Sequence, residues 1–280
     1  MDPVLKWAGG KRQLLSELKK YIILNDQCMY FEPFIGGGAV LFDICPNNAF
    51  VSDVNEEIIN TYIQIKNKPY ALIKLLEKHK ANHNKDYYYY IRDLDLTEEY
   101  CSLSKLEKAA RFIYLNRTCY NGLYRVNSKG HFNVPIGRYK NPEIVQKDKI
   151  IKASKYFKEN NIVIKQGDYN SCIGLVKAND VIYLDPPYDY EKDGFTSYTR
   201  YGFSRDDLQR LKLFCDRCVE KGAIIILSNN DTRFVNDLFS GSYYSIYHVT
   251  ASRMINSDSK NRKQAKEVII YGKNNSISTS

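Results

Sequence analysis

Apolar and polar positions change rhythm twice along the chain. Between residues 29 and 67, short apolar runs alternate with helical spacing. "MYFEPF" and "NAFVSD" read as strands, and "AVLFDIC" as a helix after the turn "IGGG". "VNEEIINTYIQIKN" reads as a helix started near Asn55. A βαβα opening of this kind predicts an α/β fold with a mostly parallel sheet. The alternation returns after residue 160. "NIVIKQGD" and "VIYLDPPY" are strand patterns, and "SRDDLQRLKLFCDRCVEK" is a helix with Ser204 as N-cap. "AIIILSNN" has the uncharged run of a central parallel strand, and "YYSIYHVTA" and "KEVIIYG" form a late antiparallel pair. Near the start, "KRQLLSELKKYIIL", residues 11–24, has the spacing of an amphipathic helix, and the end "KNNSISTS" has the composition of a disordered tail.

Between these two stretches the pattern differs. Residues 66–115 are mostly helical in period and contain "DYYYYIRDLD". Four consecutive tyrosines cannot share one helix face, so some are exposed or packed on a neighbour. "LNRTCYNGLYRVNSKGHFNVPIGRYKNP" then loses all period and reads as long loops with a hairpin around Ser128–Gly130. The organisation is one α/β domain interrupted by a loop-rich insertion of roughly 90 residues, and loops as long as those it contains are usually functional or disordered. The boundaries fall at 1–56 with 145–280 for the α/β domain, and at 57–144 for the insertion.

Charge sharpens this division. The 280 residues carry a formal net charge of +9. Residues 105–155 alone hold twelve basic against three acidic side chains, interleaved with aromatics, a pattern that fits a polyanion-binding surface or, on charge alone equally well, a solvated face with scattered lysines. No apolar run approaches the ~18 residues of a membrane span, and "MDPVLKWAGGKR" lacks a signal-peptide pattern. The expectation is an intracellular protein with no membrane partner. The seven cysteines are spread along the chain and suit reduced thiols. Cys215 and Cys218 form a CxxC without a second ligand pair, and His79 and His83 lack the glutamate of the zinc-protease pattern, so no metal site is expected and "HKANH" reads as a polar helix face.

Three stretches carry candidate chemistry. In "FEPFIGGGAVLF" a strand, a glycine cluster and a helix form a ligand cradle, with Asp53 closing the next strand at a spacing suited to ribose hydroxyls; taken alone, the stretch also reads as a glycine turn beside a surface acid. The pattern is not G-x-G-x-x-G, which fits an adenosine-containing ligand without a pyrophosphate better than a dinucleotide. "KWAGGK" sets the only tryptophan between Lys6 and Lys11. "DPPY" places Asp185 at the carboxyl end of a strand, where α/β sheets bind ligands. The Asp185 carboxylate and the Pro186 carbonyl are two acceptors beside the flat ring of Tyr188. That set suits a planar group bearing an NH2, such as a nucleobase.

"KWAGGK", "FEPFIGGGAVLF", "YNGLYRVNSKGHFNVPIGRYKNP" and "DPPY", in this order, resemble the Dam-family (α-group) DNA adenine-N6 methyltransferases, most of all their GATC-modifying members. The likeness spans roughly residues 3 to 272. It implies a Rossmann-like S-adenosylmethionine-dependent domain, with helices on both sheet faces, and an inserted, mainly helical target-recognition domain. It also implies methyl transfer to adenine N6 in duplex DNA by base flipping, with no metal, and a place in restriction–modification among other roles. By the same resemblance Asp185, Pro186 and Tyr188 are catalytic. Trp7, Lys11, Phe34, Gly36, Gly38, Asp53, Asp168 and Asp185 are implied cofactor contacts. Lys6, Tyr120, Asn121, Leu123, Arg125, Pro135, Arg138 and Tyr139 are implied DNA contacts, with Arg125 as the guanine reader. Tyr124 and the stretch between Tyr188 and Phe203 depart from the family pattern. Cytosine-N4 enzymes more often carry SPPY and glutamine enzymes NPPY, so the leading Asp favours adenine.

Overall fold

The strands expected from the apolar runs assemble into one mixed sheet. The computed structural model describes residues 1–7, 14–190, 203–251 and 265–274. Its strands are β1 (Tyr30–Glu32), β2 (Asn48–Asp53), β3 (Asn161–Gln166), β4 (Val181–Leu184), β5 (Ile224–Asn230), β6 (Tyr244–Ala251) and β7 (Ala265–Gly272). Their order is β3-β2-β1-β4-β5-β7-β6. β1 runs parallel to β2 and β4, and β4 parallel to β5. β7 pairs antiparallel with both β5 and β6. β5, expected as a central parallel strand, is therefore parallel on one side only. Its uncharged run reflects burial, which the antiparallel neighbour supplies equally well.

The chain divides into two compact units. One comprises Met1–Gly10, Ile35–Asn47 and Asp53–Gln166, and the other Lys11–Phe34, Asn48–Ser52 and Gly167–Ser280. The second unit is built on an apolar core. Ile182 and Leu184 of β4 and Ile225 and Leu227 of β5 point to it at the strand period of two. Helix α9 (Arg205–Glu220) adds Leu208, Leu211, Phe214, Cys215, Cys218 and Val219 at helical spacing. Ser204 and Asp207 close a capping box at its start, as the sequence suggested for Ser204. The CxxC thus lies on the buried stripe, and burial pushes the Cys218 thiol up to about 12. A second helix in this unit, α10 (Arg233–Leu238), is too short for periodicity to reveal.

Helix α1 is Leu15–Leu18, much shorter than the predicted 11–24. Leu14 offers no side-chain cap, and the backbone tightens at once, Lys20 N–H bonding Glu17 O and Tyr21 N–H bonding Leu18 O, both at 3.0 Å. Residues 11–13 and the tail 275–280 lie outside the described residues.

The first unit is mainly helical. Its helices are α2 (Ala39–Ile44), α3 (Glu56–Asn67), α4 (Pro69–Ala81), α5 (Lys85–Asp93), α6 (Glu99–Ser102), α7 (Lys105–Thr118) and α8 (Lys147–Glu159). Asn55 caps α3 through the N–H groups of Glu57 and Ile58, as its sequence predicts. α7 is buried from Ala109 to Thr118, Arg111 included. The Arg111 guanidinium donates to Ile91 O at 2.8 Å and Arg92 O at 2.7 Å, and pairs with Asp95 at 3.1 Å and Glu57 at 3.5 Å. A buried charge persists only when paired and hydrogen-bonded in this way. α8 escapes the sequence reading because its lysines mask the apolar stripe of Ile150, Ala153, Tyr156 and Phe157.

Two expectations in this unit change. His79 and His83 do not form a solvated polar face. His79 Nδ1 meets Tyr87 Oη at 2.8 Å, its ring stacks on Tyr114, and His83 Nδ1 meets Tyr114 Oη at 2.9 Å. Burial holds His79 down at about 4, so it is neutral. The tyrosine run divides as expected: Tyr88 is fully buried with its hydroxyl on Val134 O, and Tyr90 is exposed. The expected hairpin is a turn without a regular ladder. Asn127 and His131 bond across it and Gly130 takes φ 84°, but pairing is limited to isolated bridges, Val126 with Phe132 and Cys119 with Ile136.

Candidate functional site

β4 delivers Asp185. Tyr183 points away from the core that receives Ile182 and Leu184, and its hydroxyl lies 3.0 Å from Ser228 Oγ on β5. Ser228 Oγ in turn donates to Asp185 Oδ1 at 3.2 Å. The first carboxylate oxygen of DPPY is therefore oriented by a hydroxyl that is itself fully buried. Pro186 and Pro187 fix two φ angles, and the chain re-enters the interior at Asp189. Tyr188 donates its hydroxyl to Glu267 Oε2 of β7 at 3.1 Å. Burial, with the carboxylates of Asp185 and Glu267 beside it, pushes the Tyr188 phenol well up, so the ring is neutral at all ordinary pH.

The glycine cradle belongs to the first unit. Gly36 takes φ 46° and Gly38 φ 69°, both in the left-handed region that glycine tolerates. The Gly36 N–H donates to Asp53 Oδ2 at 3.0 Å, and its carbonyl accepts from Tyr62 Oη at 3.0 Å. The indole of Trp7 lies against this turn. A Cβ on Gly36 would sit 2.8 Å from Trp7 Nε1, and one on Gly37 2.7 Å from Trp7 Cβ. Asp53 also accepts from Asn55 N at 2.9 Å. Burial nonetheless raises it to about 6, outweighing the N–H donors of Asn55, Gly36 and Val54. Of the remaining expected cofactor residues, Phe34 stacks on Tyr169 at 5.8 Å in the second unit, next to an exposed Asp168. Lys11 lies outside the described residues.

The basic stretch after α7 gathers most of the expected DNA contacts. Lys6 is anchored through its backbone, N–H to Asn116 Oδ1 at 2.8 Å and C=O from Asn116 Nδ2 at 2.7 Å. Its stem packs on Gly122, where a Cβ would come within 2.6 Å. Its ammonium lies 4.3 Å from the centre of the Tyr139 ring. Burial, then the nearby charge of Arg117, lowers its pKa. Asn121 is left-handed at φ 53°, which turns the chain between an exposed Tyr120 and Leu123. Tyr120 N–H bonds Pro135 O at 2.8 Å, and Gly137 N–H bonds Thr118 O at 2.8 Å. Arg125 is exposed and steadied by Asn133, Nε to Oδ1 at 2.7 Å and Nη2 to O at 3.2 Å. Arg138 is exposed.

Tyr124, a departure from the family pattern with no role implied by the sequence, stacks on Trp7 at 5.6 Å and 22°, and donates its hydroxyl to Glu57 at 3.3 Å. Ser228 and Glu267, which are not among the residues the sequence singles out, steady DPPY. A polar ending on an apolar strand, "LSNN", was the available signal for Ser228.

Residues 7–255 match the D12 class N6 adenine-specific DNA methyltransferase family. The chain is 41% identical to the type II methyltransferase M1.LlaDCHI of Lactococcus lactis subsp. cremoris, over 97% of this chain and 96% of that one. It is 40% identical to the type II methyltransferase M.MjaIII of Methanocaldococcus jannaschii, over 94% and 96%. It is 32% identical to the DNA adenine methylase of Serratia marcescens, over 95% and 96%. A match this complete, on a chain that carries both the cradle and the DPPY loop, makes this protein a member of the D12 class of N6 adenine-specific DNA methyltransferases.

Proposed function

We propose that the chain methylates adenine within GATC in duplex DNA, using S-adenosylmethionine as donor, on a base flipped out of the helix. The observation that carries this reading is the Ser228-oriented carboxylate of Asp185, set beside a neutral Tyr188 at the carboxyl end of β4. The first unit fits the donor: a left-handed glycine turn, an indole, and the Asp53 carboxylate offer backbone donors, an apolar wall and an acceptor for hydroxyls. Trp7, Gly36, Gly38 and Asp53 would hold it, with Lys11, Phe34 and Asp168 as further contacts. Bound, the donor would supply a methyl group on a positive sulfur, leaving as neutral S-adenosylhomocysteine while the amine gives up one proton to solvent.

The amine of adenine is a weak nucleophile because its lone pair is delocalised into the ring. Hydrogen bonds from its N–H groups to Asp185 and the Pro186 carbonyl favour a more tetrahedral nitrogen and free that pair. Positive charge develops on the nitrogen during transfer, so fixed acceptors there stabilise the transition state more than the ground state. A target amine inside a duplex is out of reach, hence the flip. Tyr188 stacks on the extruded ring, a contact worth about 1–3 kcal/mol. Residues 57–144 act as the recognition domain. Arg125 reads a guanine edge, Lys6 a neighbouring position, and Tyr120, Asn121, Leu123, Pro135, Arg138 and Tyr139 contact bases or backbone. The type II relatives favour a restriction–modification role. The test is methyl transfer from labelled donor to GATC duplexes, GATC-free duplexes and RNA, with the product base identified. N6-methyladenine on GATC duplexes alone is expected. Equal labelling of GATC-free duplexes rejects the site, and labelling of RNA or cytosine rejects the substrate.

A further inference from the structure

Asp189 has no part in the scheme above, yet the structure converges on it. Its carboxylate is buried, and the Arg205 guanidinium at the start of α9 donates to it twice, Nε to Oδ1 at 3.0 Å and Nη2 to Oδ2 at 3.2 Å. Thr232, the N-cap of α10, donates Oγ1 to Oδ2 at 2.7 Å. The Asp189 backbone is held as firmly: its N–H donates to Asn229 Oδ1 at 2.9 Å, and its carbonyl accepts from Asn230 Nδ2 at 2.6 Å. Ser228, Asn229 and Asn230 are consecutive residues ending β5. The first fixes Asp185 and the next two fix Asp189, so one strand end grips both ends of the DPPY loop.

Three residues lie between these anchors, and two are prolines with fixed φ. With both ends pinned, few dihedrals remain to move the Pro186 carbonyl or the Tyr188 ring. A bidentate arginine–carboxylate pair adds directional restraint. Stability alone does not explain it, because a buried ion pair is often no more stable than an apolar replacement.

We propose that Asp189 is a positioning residue for methyl transfer, its clamp with Arg205 and Thr232 fixing the loop that carries the amine acceptor and the stacking ring. This rests on the reading of Asp185 and Tyr188 given above. The test is single-turnover methyl transfer to a GATC duplex, with donor and DNA saturating, in Asp189→Asn, Arg205→Gln, the double variant and Asp185→Ala. Circular dichroism and thermal melting establish that each variant is folded before rates are compared; Arg205→Gln alters a half-exposed side chain and Asp189→Asn keeps the shape of the buried one, so the two fail independently. The transfer rate constant is expected to fall about tenfold to a hundredfold in each clamp variant, as misplacement of a reacting group does. DNA affinity should stay within about twofold, and the double variant should be no worse than the poorer single one, since both break one pair. A 2-aminopurine at the target position should still be extruded but lose part of its quenching by Tyr188. A wild-type rate in Arg205→Gln overturns the proposal, as does a loss confined to DNA affinity or one that multiplies in the double variant. Were Asp185→Ala to retain transfer, the reading of the loop itself would fail. Were Asp185→Ala inactive and Arg205→Gln fully active, only the clamp would fail.

Discussion

The DPPY loop and the basic stretch after α7 solve opposite problems. In the loop, side chains from β5 and β7 and from the starts of α9 and α10 bond it at short range, and a buried carboxylate finishes the clamp. In the basic stretch the bonds gather at the base, and Tyr120, Arg125, Arg138 and Tyr139 stay exposed. Bond making needs acceptors held within a fraction of an ångström, whereas reading DNA needs donors that still face outward. On the proposed function, stiffness falls where electrons would move, and exposure where sequence would be read.

The sharpest way to break this contrast is Asp185→Ala. Methyl transfer is expected to fall by at least about a hundred- to thousandfold, with DNA affinity by gel shift nearly unchanged. Loss of both together would mean the loop also carries binding. Gly36→Ala comes next. A Cβ there meets Trp7 and the backbone is left-handed, so donor affinity by calorimetry should fall about tenfold or more, with DNA affinity in the absence of donor little changed. Arg125→Ala should act on choice rather than rate, reducing discrimination between GATC and near-cognate duplexes by about 1–3 kcal/mol.

Acidity probes the cradle. Asp53 is raised to about 6 by burial, so its folded value lies above its unfolded one. Its protonation therefore favours the folded chain at low pH, and that contribution is lost as pH rises through about 6. Donor binding should run the other way, weakening several-fold as pH falls through about 6 because the acceptor carboxylate is lost, while Asp53→Asn binds weakly at every pH. A pH-independent wild-type affinity would remove Asp53 from the contact set. The smallest effect is expected of Arg138→Ala: affinity for all duplexes falls modestly and alike, and the salt slope drops by about 1.

Much of this was legible in the sequence. Strand runs, the Asn55 and Ser204 caps and the four motifs all depend on neighbours within a few positions, which periodicity and turn chemistry report. What was missed depends on partners far apart in the chain. Ser228 gains its meaning from Asp185, and Tyr124 from Trp7 and Glu57. The histidine pair gains its partners the same way: His79 and His83, half-buried about exposed residues 80–82, are tied to Tyr87 and Tyr114. α8 was hidden because exposed lysines interleave with its apolar stripe in sequence, and the stripe is buried only by the rest of the unit.

The base of the basic stretch has a consequence for how such proteins diversify. Cys119 bridges Ile136, Tyr120 bonds Pro135 and Gly137 bonds Thr118, so the segment leaves and rejoins the framework at one point. Within it, Tyr124 is tied inward by Trp7, and Phe132 N–H by Asp95 at 2.9 Å. The tip from Asn127 to His131 is held mainly by its own turn, with Asn127 Oδ1 accepting from the N–H groups of Lys129 at 2.9 Å and His131 at 3.1 Å, and His131 Nδ1 facing Asp95 at 3.9 Å. On the proposed function, a transplant of that tip between relatives, with the clasp and the two inward ties retained, would alter the outward surface while leaving the DPPY loop untouched.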